Sequence, residues 1–407
     1  MRLSNEMKNR KVLAVILIIF LAFYWRQASL FLVNNLSSIF YSLNERMVLW
    51  ITYYATIIAS SIVGAFVSQK MNQKSYLIYF WVISGIFVLF LTYYLFTLPL
   101  LASFLLGASF GYGFPVCLAF FGEHTNIESR GRIGGLSVFI SIGLGLPFIS
   151  LVFASFSITG LLSVSIMVLG VLLLIFRYIA VEETKLARKS SFMSLIGNRT
   201  FLYYLIPWAM FIIVDELESS ILEYFLKNYL GDIFFEQVRL INSILIAVFG
   251  LVGGFLIDSI GRKKVVIYGF VSLGLTYALV GFLSNISWLW YVFGIIDGIT
   301  WGLFIVIFIL TIWGDISVGE SKEGGYAIGV LPLFFGSILR EALRRYLELV
   351  PVYASFSFAS FFLFLAVIPL LYAPETLPEK VIRRKELRKY VEKAKKIREK
   401  YERREKN

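Results

Sequence analysis

The 407-residue chain is short of charge. Only 16% of its residues are Asp, Glu, Lys or Arg, where a soluble domain carries about 25%. So few charges cannot cover a water-facing surface. Cysteine is nearly absent: Cys117 stands alone inside an apolar run, which excludes an internal disulfide. Histidine is as scarce, and the single His124 reads as a solvated residue of a short polar loop. Metal chemistry needs clustered ligands, and none appear, so neither metal nor cofactor is expected. A membrane-embedded enzyme would need a His, Cys or clustered acidic motif at an interface. None is evident, so the chain is not read as an enzyme. A small-residue cleavage site is also missing after the first apolar run, so that run reads as a retained span.

Apolar residues are what the chain has: 58% are hydrophobic and 17% aromatic, with a mean hydropathy of +0.79. Lipid must be the solvent for much of it. The net charge of +12 could suggest nucleic acid, but 14 of the 38 Lys and Arg lie after Leu377, behind the last apolar run. Basic segments so placed suit anionic headgroups, and no nucleic-acid partner is expected.

A spanning helix needs about 20 mostly apolar residues. Runs near 12–33, 48–68, 76–97, 99–121, 133–153 and 157–180 qualify, then a second set near 201–226, 237–257, 265–284, 287–313, 325–341 and 352–373. About twelve spans predict an all-α polytopic membrane protein with both termini on one side. Lys and Arg concentrate on that side, at the N-terminus and in loops holding Lys70, Lys74, Arg130, Arg132, Lys185, Arg262 and Lys322. Basic loops mark the cytoplasmic face, and a plasma-membrane location is expected. Arg340, Arg344 and Arg345 fall on the other side, where Glu341 and Glu348 offset them.

The chain repeats itself. Gly122-Glu123 recurs as Gly314-Asp315, Glu128-Ser129-Arg130 as Glu320-Ser321-Lys322, and Glu183-Thr184 as Glu375-Thr376, all at an offset of 192. Gly64-x-x-x-Ser68 recurs as Gly254-x-x-x-Asp258 at an offset of 190. Near-constant offsets at matching places imply duplicated six-helix halves. The division expected is 1–185 for the first half, 186–199 for a linker, 200–378 for the second half, and 379–407 for a basic helical tail. Such halves leave a cleft between them, where transporters hold their substrate.

Gly253-Gly254-Phe255-Leu256-Ile257-Asp258-Ser259-Ile260-Gly261-Arg262-Lys263-Lys264 resembles the signature loop of the major facilitator superfamily, and lies where that family carries its second copy. Glu123 with Arg130-Gly131-Arg132, and Pro374-Glu375-Thr376, resemble the sugar-porter branch. The resemblance implies a two-bundle carrier fold, spans 1, 4, 7 and 10 around a central cavity, and a small-molecule substrate such as a sugar. The first-half loop departs from the pattern. Ser68 and Asn72 stand where Asp and Arg are expected, and Asp215-Glu216-Leu217-Glu218 replaces the polar amides of span 7.

Two groups of residues are candidates for the chemistry. Gly254, Asp258, Gly261, Arg262 and Lys263, with Glu123, Arg130, Asp315 and Lys322, form a candidate cytoplasmic gate, because opposite charges at helix ends can hold one face shut. They can equally be a topology signal or solvated loop charges. Charges inside spans are expensive and usually face a cavity or one another. Arg26 lies about 22 Å into span 1, and the repeat offset of 190 places Glu216 at the corresponding position of span 7. Arg26 is therefore expected to face Asp215, Glu216 and Glu218 across the cleft. A carboxylate there can bind a proton or a cationic group, and burial and a nearby Arg tune it in opposite senses. Asp215 and Glu218 share a helix face, from which Glu216 is offset by about 100°. The alternative is that span 7 ends early and leaves them at the wet rim. Asp297 sits about 15 Å into span 10, as a coupling or binding residue or else a polar packing contact. Gly294, Gly298 and Gly302 recur every four residues around it, a ridge for close helix packing. Trp25, Trp208 and Trp301 can stack on a substrate or simply pack. Trp50, Trp288 and Trp290 read as interfacial anchors.

The chain thus reads as a carrier of a small organic solute, embedded in a lipid bilayer and working by alternating access, with protons as the candidate coupling ion. Symport of a sugar is one form of that expectation. A nutrient sensor that signals through the basic tail is the rival reading.

Overall fold

The computed structural model describes residues 2–40, 42–71, 74–145, 147, 158–179, 192–317, 322–378 and 387. Among the described residues every regular element is helical. The helices are α1 (Arg2–Ser37), α2 (Leu43–Lys70), α3 (Lys74–Tyr94), α4 (Pro99–His124), α5 (Arg130–Val138), α6 (Ile158–Ile179), α7 (Arg199–Phe225), α8 (Asp232–Ile260), α9 (Arg262–Phe282), α10 (Ser287–Phe304), α11 (Lys322–Leu347) and α12 (Val352–Tyr372). Three continue as π-helical stretches: α5 over Phe139–Gly145, α7 over Leu226–Leu230 and α10 over Ile305–Thr311. A last helical turn, Ile312–Ile316, completes α10.

Eleven helices are long and apolar enough to cross a bilayer among the described residues. The twelfth expected span, 133–153, runs as α5 to Gly145 and then leaves the described residues. Residues 186–191 of the expected linker and nearly all of the tail also lie outside them. Two expectations are corrected. The eleventh span does not stop at 341: α11 runs to Leu347, because its polar residues face protein, as described below, and lower its hydropathy without ending the helix. Trp290 is not an interfacial anchor. It is fully buried and donates to the Ser284 carbonyl at 3.0 Å, whereas Trp288 is 62% exposed.

The fold is the all-α arrangement of two six-helix bundles. In the first, α1 packs on α4, α5 and α6, α2 on α4, and α3 on α4 and α6. In the second, α7 packs on α11 and α12, α8 on α10, and α9 on α10 and α12. The bundles meet chiefly through α2 with α11 and α5 with α8. Lipid tails are as apolar as leucine, so association rests on close packing of small residues. A Cβ on Gly298 would lie 2.7 Å from the Asn242 carbonyl, and one on Gly302 2.7 Å from that of Ile246. The glycine ridge of α10 therefore lies flush against α8. Phe80 and Phe87 of α3 and Phe358 and Phe361 of α12 are more than half exposed, as outer helices facing acyl chains would be.

Candidate functional site

Ionisable side chains gather at two levels. The first is the end of the fold where α2 meets α3 and α8 meets α9, termed the basic end below. Asp258 sits in the last turn of α8, and Gly261 turns the chain into α9 with φ 101°. That left-handed conformation favours glycine, and a Cβ there would also lie 2.9 Å from the Glu375 carboxyl carbon. Glu375 accepts from the Arg262 and Lys263 backbone amides at 2.8 and 3.1 Å, capping α9 at its positive end. The guanidinium of Arg262 then reaches inward. Its Nε donates to Asp315 at 3.1 Å and its Nη2 to the Ile127 carbonyl of the first bundle at 2.7 Å.

Arg130 arrives at the same carboxylate from the first bundle, pairing with Asp315 and donating to the Gly122 carbonyl at 2.6 Å. Asp258 crosses the other way. It accepts from the Gly131 and Arg132 amides at 3.1 and 2.9 Å, capping α5 of the opposite bundle. The backbones touch here: a Cβ on Gly131 would lie 2.7 Å from the Gly254 carbonyl. The side chains of Arg262, Asp315, Asp258 and Arg130 are 0, 0, 2 and 4% exposed.

The first-half copy of the loop is rebuilt with different residues. Where the repeat calls for an arginine at 72, Lys74 stands two positions later. It pairs with Glu123 at the end of α4 as Arg262 pairs with Asp315 at the end of α10. Where it calls for an acid at 68, Ser68 is neutral, and the carboxylate is Glu323 at the start of the opposite helix, α11. Glu323 accepts from Ser68 at 3.3 Å and from Lys74 at 2.7 Å. Lys322 completes the seam, donating to the Gly122 carbonyl at 2.8 Å. Of the expected gate residues, Gly261 and Lys263 stay within their own bundle: Gly261 lies against Glu375, and the Lys263 ammonium turns to the Leu371 carbonyl at 2.8 Å.

The second level lies deep in the spans. α7 continues without a break past its acidic run, and Glu218 is buried inside the second bundle. Asp215 accepts from the Trp301 indole at 2.8 Å, Glu218 from the Tyr277 hydroxyl at 3.0 Å, and Asp297 from the Asn242 amide at 2.7 Å. One oxygen each of Glu218 and Asp297 is buried without a hydrogen-bond partner among the described residues. The three carboxylates act on one another electrostatically inside the second bundle. Glu216 points elsewhere, to Ser337 and Arg340 of α11, each at 2.7 Å. Arg340 also pairs with Glu341 at 3.1 Å.

This corrects the expected pairing of Arg26 with the acidic run. Arg340 of the same bundle takes Glu216, while Asp215 and Glu218 face away from the cleft. Arg26 is exposed, and its guanidinium has no ion-pair partner among the described residues. Trp25 packs on Gly85 and Leu169, and Trp208 donates to the Gly329 carbonyl at 3.0 Å. Only Trp301 of these three touches the acidic cluster. Sequence reasoning missed Glu323, Arg340, Ser337, Asn242 and Tyr277. For Glu323 the neutral Ser68 was the available signal, since a lost acid on one side of a seam invites one on the other.

Solved structures share this fold. The structure is similar to a bacterial homologue of the iron transporter ferroportin in an outward-facing state. The TM-score is 0.66 at 12% identity, over 90% of this chain and 98% of that one. It is similar to the human organic anion transporter MFSD10 (TETRAN) with a TM-score of 0.63 at 14% identity, over 89% and 99%. These likenesses show the major facilitator fold. They lend nothing to the sugar-porter branch. No family model matches the chain, and no curated protein sequence does either.

Proposed function

We propose that the protein is a secondary transporter that moves a small organic solute by alternating access. The observation that carries this is the buried charge seam between the bundles at the basic end. Ion pairs taken out of water contribute little net stability and often less than an apolar contact would. As a permanent fastener the seam would be a poor choice. As a reversible one it is apt, because every charge regains water when the bundles part. The seam holds the basic end shut. With that end cytoplasmic, as the basic loops indicate, the cytoplasmic side is the closed one, as alternating access requires of an outward-facing state.

Asp215, Glu218 and Asp297 carry the coupling. Among the described residues the side chains that donate hydrogen bonds to these three carboxylates are neutral, and protons supply the balancing positive charge. The test is uptake into proteoliposomes from a panel of organic solutes, with and without a pH gradient. Solute uptake that collapses with the gradient supports the proposal. Vesicles that take up nothing from a broad panel in either condition would refute it.

A further inference from the structure

The cleft-facing side of α1 carries a cation with no counterion among the described residues, and its surroundings fix which way it points. Take Phe20 as the origin and count 100° per residue. Phe20 lies against Gly145 in the π stretch of α5. Tyr24, about 40° round, lies beside Ser165 of α6. Trp25, about 140° round, packs on Gly85 of α3. Ser29, about 180° round, hydrogen-bonds Tyr53 of α2 at 2.6 Å. Neighbours of the same bundle therefore cover one half of the helix, from α5 round to α2. Arg26, Leu30, Phe23 and Gln27 lie between about 240° and 340°, in the sector between α2 and α5. Those are the helices through which this bundle meets the other, so the sector faces the cleft and not lipid.

Arg26 is exposed there, and Phe23, Leu30 and Gln27 are partly so. Arg26 and Arg340 both act electrostatically on Tyr54, from opposite bundles. Arg340 is neutralised by Glu216 and Glu341, and Arg26 is not. It lies 16 residues past Arg10 and 11 before Ser37, about 24 and 16 Å from the two ends of the apolar stretch.

We infer that the transported solute is an organic anion, whose carboxylate or phosphate is held by the fork of Arg26 while its apolar part lies on Phe23 and Leu30. An arginine fork matches either group with two parallel hydrogen bonds. The inference rests on the transporter reading and adds the charge of the solute.

The test measures the thermal shift of the purified full-length protein with benzoate, phenyl phosphate, inorganic phosphate, benzylamine and benzyl alcohol at constant ionic strength. Benzoate or phenyl phosphate should stabilise it, inorganic phosphate less so, and benzylamine and benzyl alcohol not at all. Arg26→Gln should weaken the anion roughly 10- to 150-fold, the worth of a hydrogen bond to a charged group, and Arg26→Lys should recover part. Among the described residues the Arg26 side chain makes no hydrogen bond or ion pair, so both variants should fold. A response that ignores ligand charge, an Arg26→Gln variant that binds as well as the parent, or no response to either aromatic anion overturns the inference. A response equal to that of inorganic phosphate alone reduces it to a bare anion site and overturns the organic part. The transporter reading is judged separately, by whether Asp315→Asn opens the basic end with no solute present.

Discussion

Asp315→Asn is the sharpest perturbation of the seam. Asp315 is shared by Arg130 from one bundle and Arg262 from the other, and all three side chains are essentially dry in the closed state. Removing one member of a buried pair costs about 3–5 kcal/mol, because the remaining charge stays buried and uncompensated. Once the basic end opens, both guanidiniums meet water and that cost vanishes. The closed state is therefore penalised and the open one is not. The ratio of open to closed should rise roughly 150- to 5,000-fold, at 1.36 kcal/mol per tenfold. Leu310 of α10 reports on this. It is buried and lies against Gly134 of α5, across the seam. A Leu310→Cys reporter on a Cys117→Ala background should react slowly with an impermeant maleimide from the basic end. Adding Asp315→Asn should raise that rate at least about 100-fold. An unchanged rate in a protein that still melts cooperatively would mean the seam is structural and the reasoning wrong.

The remaining expectations use the same reporter or uptake. Gly135→Ala places a Cβ 2.6 Å from the Gly250 carbonyl, overpacking α5 on α8 by about 1–3 kcal/mol, so labelling should rise about 5- to 150-fold. Ser68→Asp puts a second carboxylate beside Glu323 and should loosen the seam. Glu323→Gln in the same chain should tighten it again, with a coupling of about 1–3 kcal/mol in a double-mutant cycle. Asp297→Asn keeps a partner for Asn242 but removes the ionisable group. Gradient-driven uptake should fall while solute exchange at equal pH persists.

The architecture was legible because hydropathy reports lipid contact directly, and the duplication put matching dipeptides at constant offsets. The seam was half legible. Arg130, Asp258, Arg262 and Asp315 follow a resemblance, but Glu323 carries a charge that has crossed to the opposite helix, and no single-segment motif registers such a transfer. Arg340 was misread as an outer loop charge because hydropathy falls along α11. That fall comes from Ser337, Arg340 and Glu341 facing the cleft and α7. Depth was readable for Arg26 and Glu216. Direction was not, because which neighbour a helix face meets depends on packing that offset arithmetic does not carry. Asn242 and Tyr277 are ordinary polar residues in sequence, and only the fold brings them to Asp297 and Glu218.

Alternating access itself is tested most directly by pairs of spin labels at the two ends. Asn126 and Lys264 are exposed at the basic end, on opposite bundles, and Leu43 and Ile233 are exposed at the other end. Distances measured by electron paramagnetic resonance should fall into two populations for each pair. Asp315→Asn should lengthen the first pair while shortening the second. Single distributions at both ends, unmoved by that substitution or by a saturating solute, would contradict the account.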